Sequence, residues 1–480
     1  MASEIRVNSF ENLSGLGTVR VTDTGPVITG FVTATSYDGD SATFTILNAG
    51  ANTALHVDGG APALSLHVEH DGVVSAATTI SASKVTVGVS TLTTNNLTVG
   101  LTTITSDSLQ VDGTQYPSVG PLSNRNLIIN GAMRIAQRST SNVAVSDGSN
   151  EGYQTLDRFK FIFGGSADGG ATISQSSVVP SGQGFSNSYH VDVTSTNTPS
   201  GSENIFIEYL VEAQDLKNSG WEFDSSSSNI TISFWAQSSK AGTYVLYLDL
   251  DDTSTNEFYR HEYTLAANTW KRVVATIPGH SNAVINTDNG IGLRIEWVLA
   301  SNETSGNAGA WSDTADRATS NQVNLFDNTS GSFRLTGVQL EVGDKATPFE
   351  HRSYGDELAK CQRYFQKSGN IGMSNEWFPG VAAEAANGRF VVTALDGLND
   401  RAAPQLRFPV TMRTSPDIVY YPGRSAVLNT AGSITIYNGD TLVTTTGKPT
   451  GGPQGLQGYF QGTSTDSRAY SFQFTADAEL

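Results

Sequence analysis

Residues 230–250 read ITISFWAQSSKAGTYVLYLDL. Apolar and polar residues partly alternate over 230–237 and again over 243–250, with Ser-Ser-Lys-Ala-Gly between the two runs. A period of two, β-branched and aromatic side chains and a Gly-containing connection predict strands. Working outward, RVVATI (272–277), GLRIEWVL (292–299) and FRLTGVQLEV (333–342) repeat the pattern, separated by loops rich in Ser, Gly and Asn. NLIING (126–131) reads as a buried strand running into a turn. Many strands at this spacing and almost no helical periodicity predict a mainly β chain with a jelly-roll β-sandwich over residues 121–352.

Upstream, residues 76–111 carry one twelve-residue pattern three times: AATTISASKVTV, GVSTLTTNNLTV and GLTTITSDSLQV. The second, fifth, tenth and twelfth places of each copy are apolar, and most of what lies between is Ser, Thr or Asn. Three short β-rich repeats carry too little apolar surface to offset the entropy of ordering them alone. Copies of the chain around a common axis would supply the missing face. The stretch 76–120 therefore reads as the β shaft of a homotrimeric fibre, with Leu92, Leu97, Val99, Ile104, Leu109 and Val111 at the interface. The alternative is a pair of surface hairpins in a monomer. Residues 1–75 alternate in short runs and read as a β-rich attachment region. A turn is expected at Gly25-Pro26, with strands over 43–47, 55–57 and 64–68.

Net charge is −18, and the acidity is unevenly spread. Residues 1–120 hold 3 basic and 10 acidic side chains, 121–353 hold 15 and 25, and 354–480 hold 10 and 11. The first three quarters would repel nucleic acid and anionic lipid. Cys361 is the single cysteine, which excludes an intrachain disulfide and a thiolate zinc cluster. No apolar run reaches the length of a membrane span. The N-terminus shows no basic region followed by an apolar one, so release by lysis within a virus particle is expected rather than secretion.

One helix stands out. Ser353 and Asp356 form a capping box, and Tyr354, Leu358, Cys361 and Phe365 line one seam. The span 353–366 reads as a neck in which Leu358, Cys361 and Phe365 meet their copies; in a monomer the seam would dock on the sandwich. Residues 367–480 are β again, with strands around 390–395, 418–421, 433–437 and 470–474. GGPQGLQGYFQG (451–462) reads as a long adaptable loop at a distal tip.

Sugar recognition needs aromatic faces with hydrogen-bonding side chains beside them. Trp235 and Trp297 lie in apolar strands and read as core. Trp311, Trp377 and Tyr459 lie in polar segments and are the ligand-binding candidates. Glycoside cleavage needs two facing carboxylates. The densest acidic group, Asp249, Asp251, Asp252 and Glu257, reads instead as a solvated edge. His67 and His70 would fall on opposite faces of a strand, against a shared metal. No nucleophile elbow or zinc-protease stretch is present. The chain is expected to be no enzyme and to need no cofactor.

GVQLEVGDKATPFEHRSYGDELAKCQRYF (337–365) resembles a segment of bacteriophage tail-fibre and related virion proteins. In that family a sandwich strand, a Thr-Pro-Phe-Glu turn and a helix ending in Cys-Gln-Arg-Tyr lead into a C-terminal domain. NLIINGAMRIAQR (126–138) is similar to the opening of the same sandwich, with Ala136 where an aromatic usually stands. The 403–412 region and the final Ala-Asp-Ala-Glu-Leu are similar to its C-terminal domain. The Thr-rich front half resembles structural proteins of marine cyanophages. The resemblance implies a virion fibre with a carbohydrate-binding-module-like sandwich, a C-terminal receptor-binding tip over 367–480, and room for a structural calcium ion. Implied partners are its own copies, tail or capsid proteins at the N-terminus, and a host surface glycan or other receptor, without nucleic acid or membrane insertion. A capsid-attached adsorption fibre and, further off, a polysaccharide-degrading fibre are the alternatives.

Overall fold

The computed structural model describes side chains for residues 124–252, 257–368, 406–419, 451–456 and 474–480. Strand backbone alone is described for 9–11, 18–22, 25–29, 96–99, 102–105, 109–111, 114–116, 390–394, 400–402, 420–422, 433–438, 441–450, 457–461 and 468–473. The chain divides into two compact units, residues 1–91 and 92–480. In the first, Ser9–Glu11, Thr18–Thr22 and Gly25–Thr29 form an antiparallel meander. Thr22 pairs with Gly25, so the turn falls before Gly25 and Pro26 lies in an edge strand, where a missing N–H is tolerated. The strands expected over 43–47, 55–57 and 64–68 lie outside the described residues.

The second unit opens with Asn96–Val99, Thr102–Thr105, Leu109–Val111 and Thr114–Tyr116, again an antiparallel meander. Leu97 pairs with Ile104, Ile104 with Leu109, and Leu109 with Tyr116. The fifth and tenth places of the repeat thus stand in one row across the strands. Leu92 lies outside the described residues.

Twelve strands build the sandwich: β1 (Val143–Ser146), β2 (Phe159–Gly164), β3 (Gly170–Ser176), β4 (Ser188–Ser195), β5 (Asn204–Glu212), β6 (Asn229–Ser238), β7 (Gly242–Asp249), β8 (Phe258–Leu265), β9 (Lys271–Pro278), β10 (Ile291–Ser301), β11 (Trp311–Ser312) and β12 (Ser332–Val342). The first sheet runs β9-β6-β12-β4-β3-β1 and the second β11-β8-β7-β10-β5-β2, all antiparallel. Hairpins join β3 to β4 and β7 to β8, while most other connections pass between sheets, as in a jelly roll. Alternate residues interdigitate between the sheets: Ile230, Ile232 and Phe234 of β6 are buried in one core with Tyr244, Leu246 and Leu248 of β7. Trp297 is fully buried, edge-on to Phe234 at 5.7 Å. Trp235 departs from the core expectation. The period of two that turns Phe234 inward leaves its neighbour half-buried on the outer face.

NLIING is not a strand. Leu127 N donates to the Leu340 carbonyl, but the neighbouring N–H groups go to side chains instead of a ladder. Ile128 N donates to Asn126 Oδ1 at 2.9 Å, Ile129 N to the Tyr209 hydroxyl at 2.8 Å, and Asn130 N to Glu357. Asn126 also accepts from Leu340 N and donates to the Val338 carbonyl, which ties the segment to β12. Gly131 is needed there, since a Cβ would lie 2.0 Å from the Val338 oxygen. The Thr-Pro-Phe-Glu turn joins the same latch. The Thr347 hydroxyl donates to Glu341, Glu350 N donates to Gln339 Oε1, and Glu350 Oε2 accepts from Asn126 N.

Two α-helices are found among the described residues, α1 (Ala213–Lys217) and α2 (Tyr354–Gln362). Ser353 Oγ caps α2 by accepting from Asp356 N at 3.2 Å. The α2 seam takes the docked arrangement rather than the neck. Cys361 packs with Ile129, Ile135 and Tyr364, and Leu358 lies against them. Arg138 covers the Phe365 ring at 3.7 Å. Cys361 and Phe365 are thus buried by their own chain and offer no surface to a copy. Arg363 and the Tyr364 hydroxyl, from the Cys-Gln-Arg-Tyr stretch, both donate to Glu212 at the end of β5.

The C-terminal strands lie close to where alternation placed them: Phe390–Ala394, Asp417–Pro422, Ser433–Asn438 and Arg468–Asp477. GGPQGLQGYFQG is not a long loop, for Thr441–Gly452 and Gly455–Gln461 form a hairpin closed between Gly452 and Gly455. The chain end returns to α2, where Phe365–Lys367 pairs with residues 475–477. Ala478 N donates to the Tyr364 carbonyl at 2.7 Å.

Candidate functional site

The outer face of the second sheet carries its charge in rows. Register sets Lys160 of β2, Glu208 of β5, Glu296 of β10, Tyr247 of β7 and Arg260 of β8 side by side in one line. The next line sets Asp249 beside Arg294. Glu208 accepts from Lys160 and Arg294, each at 2.5 Å, and Arg317 reaches Glu296 at 2.7 Å. Burial raises the Glu296 carboxyl, against the pull of Arg317 and Arg294. The segment after β10 straps this face down, for Arg260 donates to the Asp316 and Thr314 carbonyls and to Ser312 Oγ. Each carboxylate here is committed to cations of its own chain.

Burial, helped by Asp251 and opposed by Arg294, pushes Asp249 up to about 6. The folded chain then holds a proton that the unfolded chain, near 3.9, has released. Stability contributed here therefore falls as pH rises from about 4 to about 6. We expect Asp249→Asn to remove that slope and raise stability at pH 8 by up to about 3 kcal/mol. Arg294 keeps Glu208 and Asp251 as partners. Urea melts at pH 4.5 and pH 8 check this, and a variant destabilised most at pH 8 would contradict it.

The acidic group read as a solvated edge disperses onto partners of its own chain. Asp249 and Asp251 face Arg294, Asp252 accepts from Asn286, and Glu257 accepts from Asn282. Trp311 closes one margin of the sandwich, half-buried. Its indole N–H donates to the Pro278 carbonyl at 2.8 Å, and its ring meets Tyr259 at 5.3 Å and His280 at 6.2 Å. Trp377 lies outside the described residues, as do His67, His70 and the Tyr459 side chain. Among the described residues no three of His, Cys, Asp and Glu converge to hold a metal.

A small cleft, partly open to solvent, lies between the latch and the start of α2. Its lining includes Phe349, Glu350, His351, Arg352, Arg134 and Glu357. The Phe349 and His351 rings stand 4.9 Å apart, and Phe185, from the β3–β4 hairpin, meets them at 5.0 and 5.5 Å. Gly337, at φ +62°, makes room for Phe185, because a Cβ there would come within 2.6 Å of its ring. Arg134 is exposed, with its guanidinium 5.6 Å over the Tyr354 ring.

The carboxylates of the cleft are matched from within. Burial opposes the charged form of Glu350, yet the Asn126 N–H and Arg352 outweigh it and hold the carboxyl below its usual range. Glu357 accepts from Asn130 N and lies 3.6 Å from Arg352. Sequence reading missed Phe185, Phe349, His351 and Arg134 as site residues. Only the Thr-Pro-Phe-Glu turn signalled that anything lay there.

A scan of family models finds no match to this chain, and a search of curated proteins finds none. Among solved structures it is similar to the enzymatically active domain of tailspike protein 4 of bacteriophage CBA120, at 12% identity and a TM-score of 0.26, over 45% of this chain and 21% of that one. The similar part thus spans about a fifth of the tailspike domain. It is also similar to a putative sugar binding protein from Bacteroides thetaiotaomicron VPI-5482, at 12% identity and a TM-score of 0.26, over 45% of this chain and 99% of that one. A family 11 carbohydrate-binding module from Clostridium thermocellum, in complex with a mixed-linked tetrasaccharide, is similar at 13% identity and a TM-score of 0.22, over 44% and 99%.

Proposed function

We propose that this chain is a subunit of a homotrimeric bacteriophage virion fibre that recognises a host-surface glycan and does not cleave it. The repeats of 76–111 form the shaft, the N-terminal region attaches to the particle, and the sandwich is displayed outward. One observation carries the glycan reading: the cleft beside α2 sets an aromatic wall, Phe349 and His351 backed by Phe185, next to Arg134 and Arg352. Aromatic faces take the C–H surface of a pyranose while charged donors take its hydroxyls. The reading as a binder rather than an enzyme rests on the acids of the second sheet, whose carboxylates are neutralised by Lys160, Arg294 and Arg317.

His351 is exposed, so His351→Ala should leave the melting temperature unchanged. Loss of a ring contact worth about 1 kcal/mol per sugar should weaken adsorption of particles to host cells severalfold. Adsorption kinetics with wild-type and variant particles measure this. Unchanged adsorption, together with unchanged binding to extracted cell-surface polysaccharide, would sink the cleft reading. Shortening of that polysaccharide on incubation with the protein would sink the non-enzymatic one.

A further inference from the structure

Arg134 is set apart from the other cations around the cleft. Arg352 is spent on Glu350 at 3.1 Å, on Glu357 at 3.6 Å and on two backbone carbonyls. Arg125 lies 3.5 Å from Glu341. Arg134 faces the Tyr354 ring and makes a long 3.4 Å contact to the Arg352 carbonyl, but forms no ion pair with a described carboxylate.

The geometry points to a pyranose bearing a carboxylate, a uronic-acid type of sugar, as the ligand of this cleft, with Arg134 receiving the carboxylate. This rests on the glycan reading above and adds the charge of the sugar to it. The two carboxylates lining the cleft are held by Arg352 and by backbone N–H groups, which leaves the Arg134 guanidinium as the cation that faces an incoming anion. That planar group binds a carboxylate through two parallel hydrogen bonds, a match that a neutral hydroxymethyl cannot make. The sugar ring then lies where its C–H face meets Phe349 and His351.

The experiment compares D-glucuronate, D-glucose and acetate binding to the full-length protein by titration NMR, for wild type and Arg134→Ala. Arg134 is exposed, so the variant should keep the wild-type fold, which its spectrum reports directly. A charge-assisted pair of about 1.5 kcal/mol predicts at least about tenfold tighter binding of glucuronate than of glucose. The variant should lose that preference and bind the two alike. Equal affinities in the wild type, or a preference that survives Arg134→Ala, would overturn the inference and leave the glycan reading standing. Acetate binding as tightly as glucuronate would overturn it too, since the ring would then contribute nothing. No binding by either sugar would remove both readings together.

Discussion

Glu479→Gln should lower the unfolding free energy by about 3–5 kcal/mol, the cost of leaving a buried charge without its partner. Arg158 and Glu479 form an ion pair in which the side chains are 1% and 5% exposed. Arg138 reaches the same carboxylate at 3.3 Å. Each guanidinium also covers an aromatic ring, Arg158 on Tyr364 at 3.6 Å and Arg138 on Phe365 at 3.7 Å. Removing the anion strands a cation that burial has already stripped of water. Removing both charges, in Arg158→Met with Glu479→Gln, leaves no uncompensated ion in the Arg158 position. The double variant should therefore recover part of the loss, because the two sites share one interaction. Urea midpoints at pH 7 for the four proteins of this cycle are the check. A single Glu479→Gln variant as stable as wild type would show that the chain end is not fastened in this way.

This pair also shows what the sequence could not display. The ends of β6, β9, β10 and β12 were legible to within two residues, because alternation of apolar residues is a local signal that burial on one sheet face imposes. Arg158 and Glu479 are 321 residues apart, and nothing local marks either as a partner. The cleft is hidden for the same reason, being assembled from Arg134, Phe185 and the 349–352 turn. NLIING carries strand-like composition, but Asn126 and Asn130 replace the ladder with their own amides, a substitution that composition does not reveal. The α2 periodicity identified which side chains form a seam. It did not say what would cover the seam, and Ile129 and Ile135 from the opening segment did so. The stretch 337–365 has a physical role here: Thr347 and Glu350 belong to the polar latch that holds Asn126, while Arg363 and Tyr364 fasten separately to Glu212. Together these contacts hold the sandwich and the C-terminal residues in one body, whatever ligand the outside takes.

Leu97→Asp combined with Leu109→Asp should abolish the trimer proposed for the shaft. The described repeats form a meander of strands three or four residues long, with Leu97, Ile104, Leu109 and Tyr116 in one row across it. A sheet this small buries little on its own and needs a second apolar layer for independent stability. Three copies packed on that row would supply the layer. Two aspartates per chain would then place six carboxylates near one axis, where each buried charge without a partner costs several kcal/mol. Assembly should fail outright rather than weaken. Chains that cannot trimerise should keep the sandwich folded, since its core draws on residues 128–342. Light scattering reports the assembly, and the near-ultraviolet spectrum of the buried Trp297 reports the sandwich. A wild-type protein that scatters as a monomer, or a double variant that still scatters as a trimer, would remove the shaft reading. The rows of the meander would then belong to a surface sheet of a single chain.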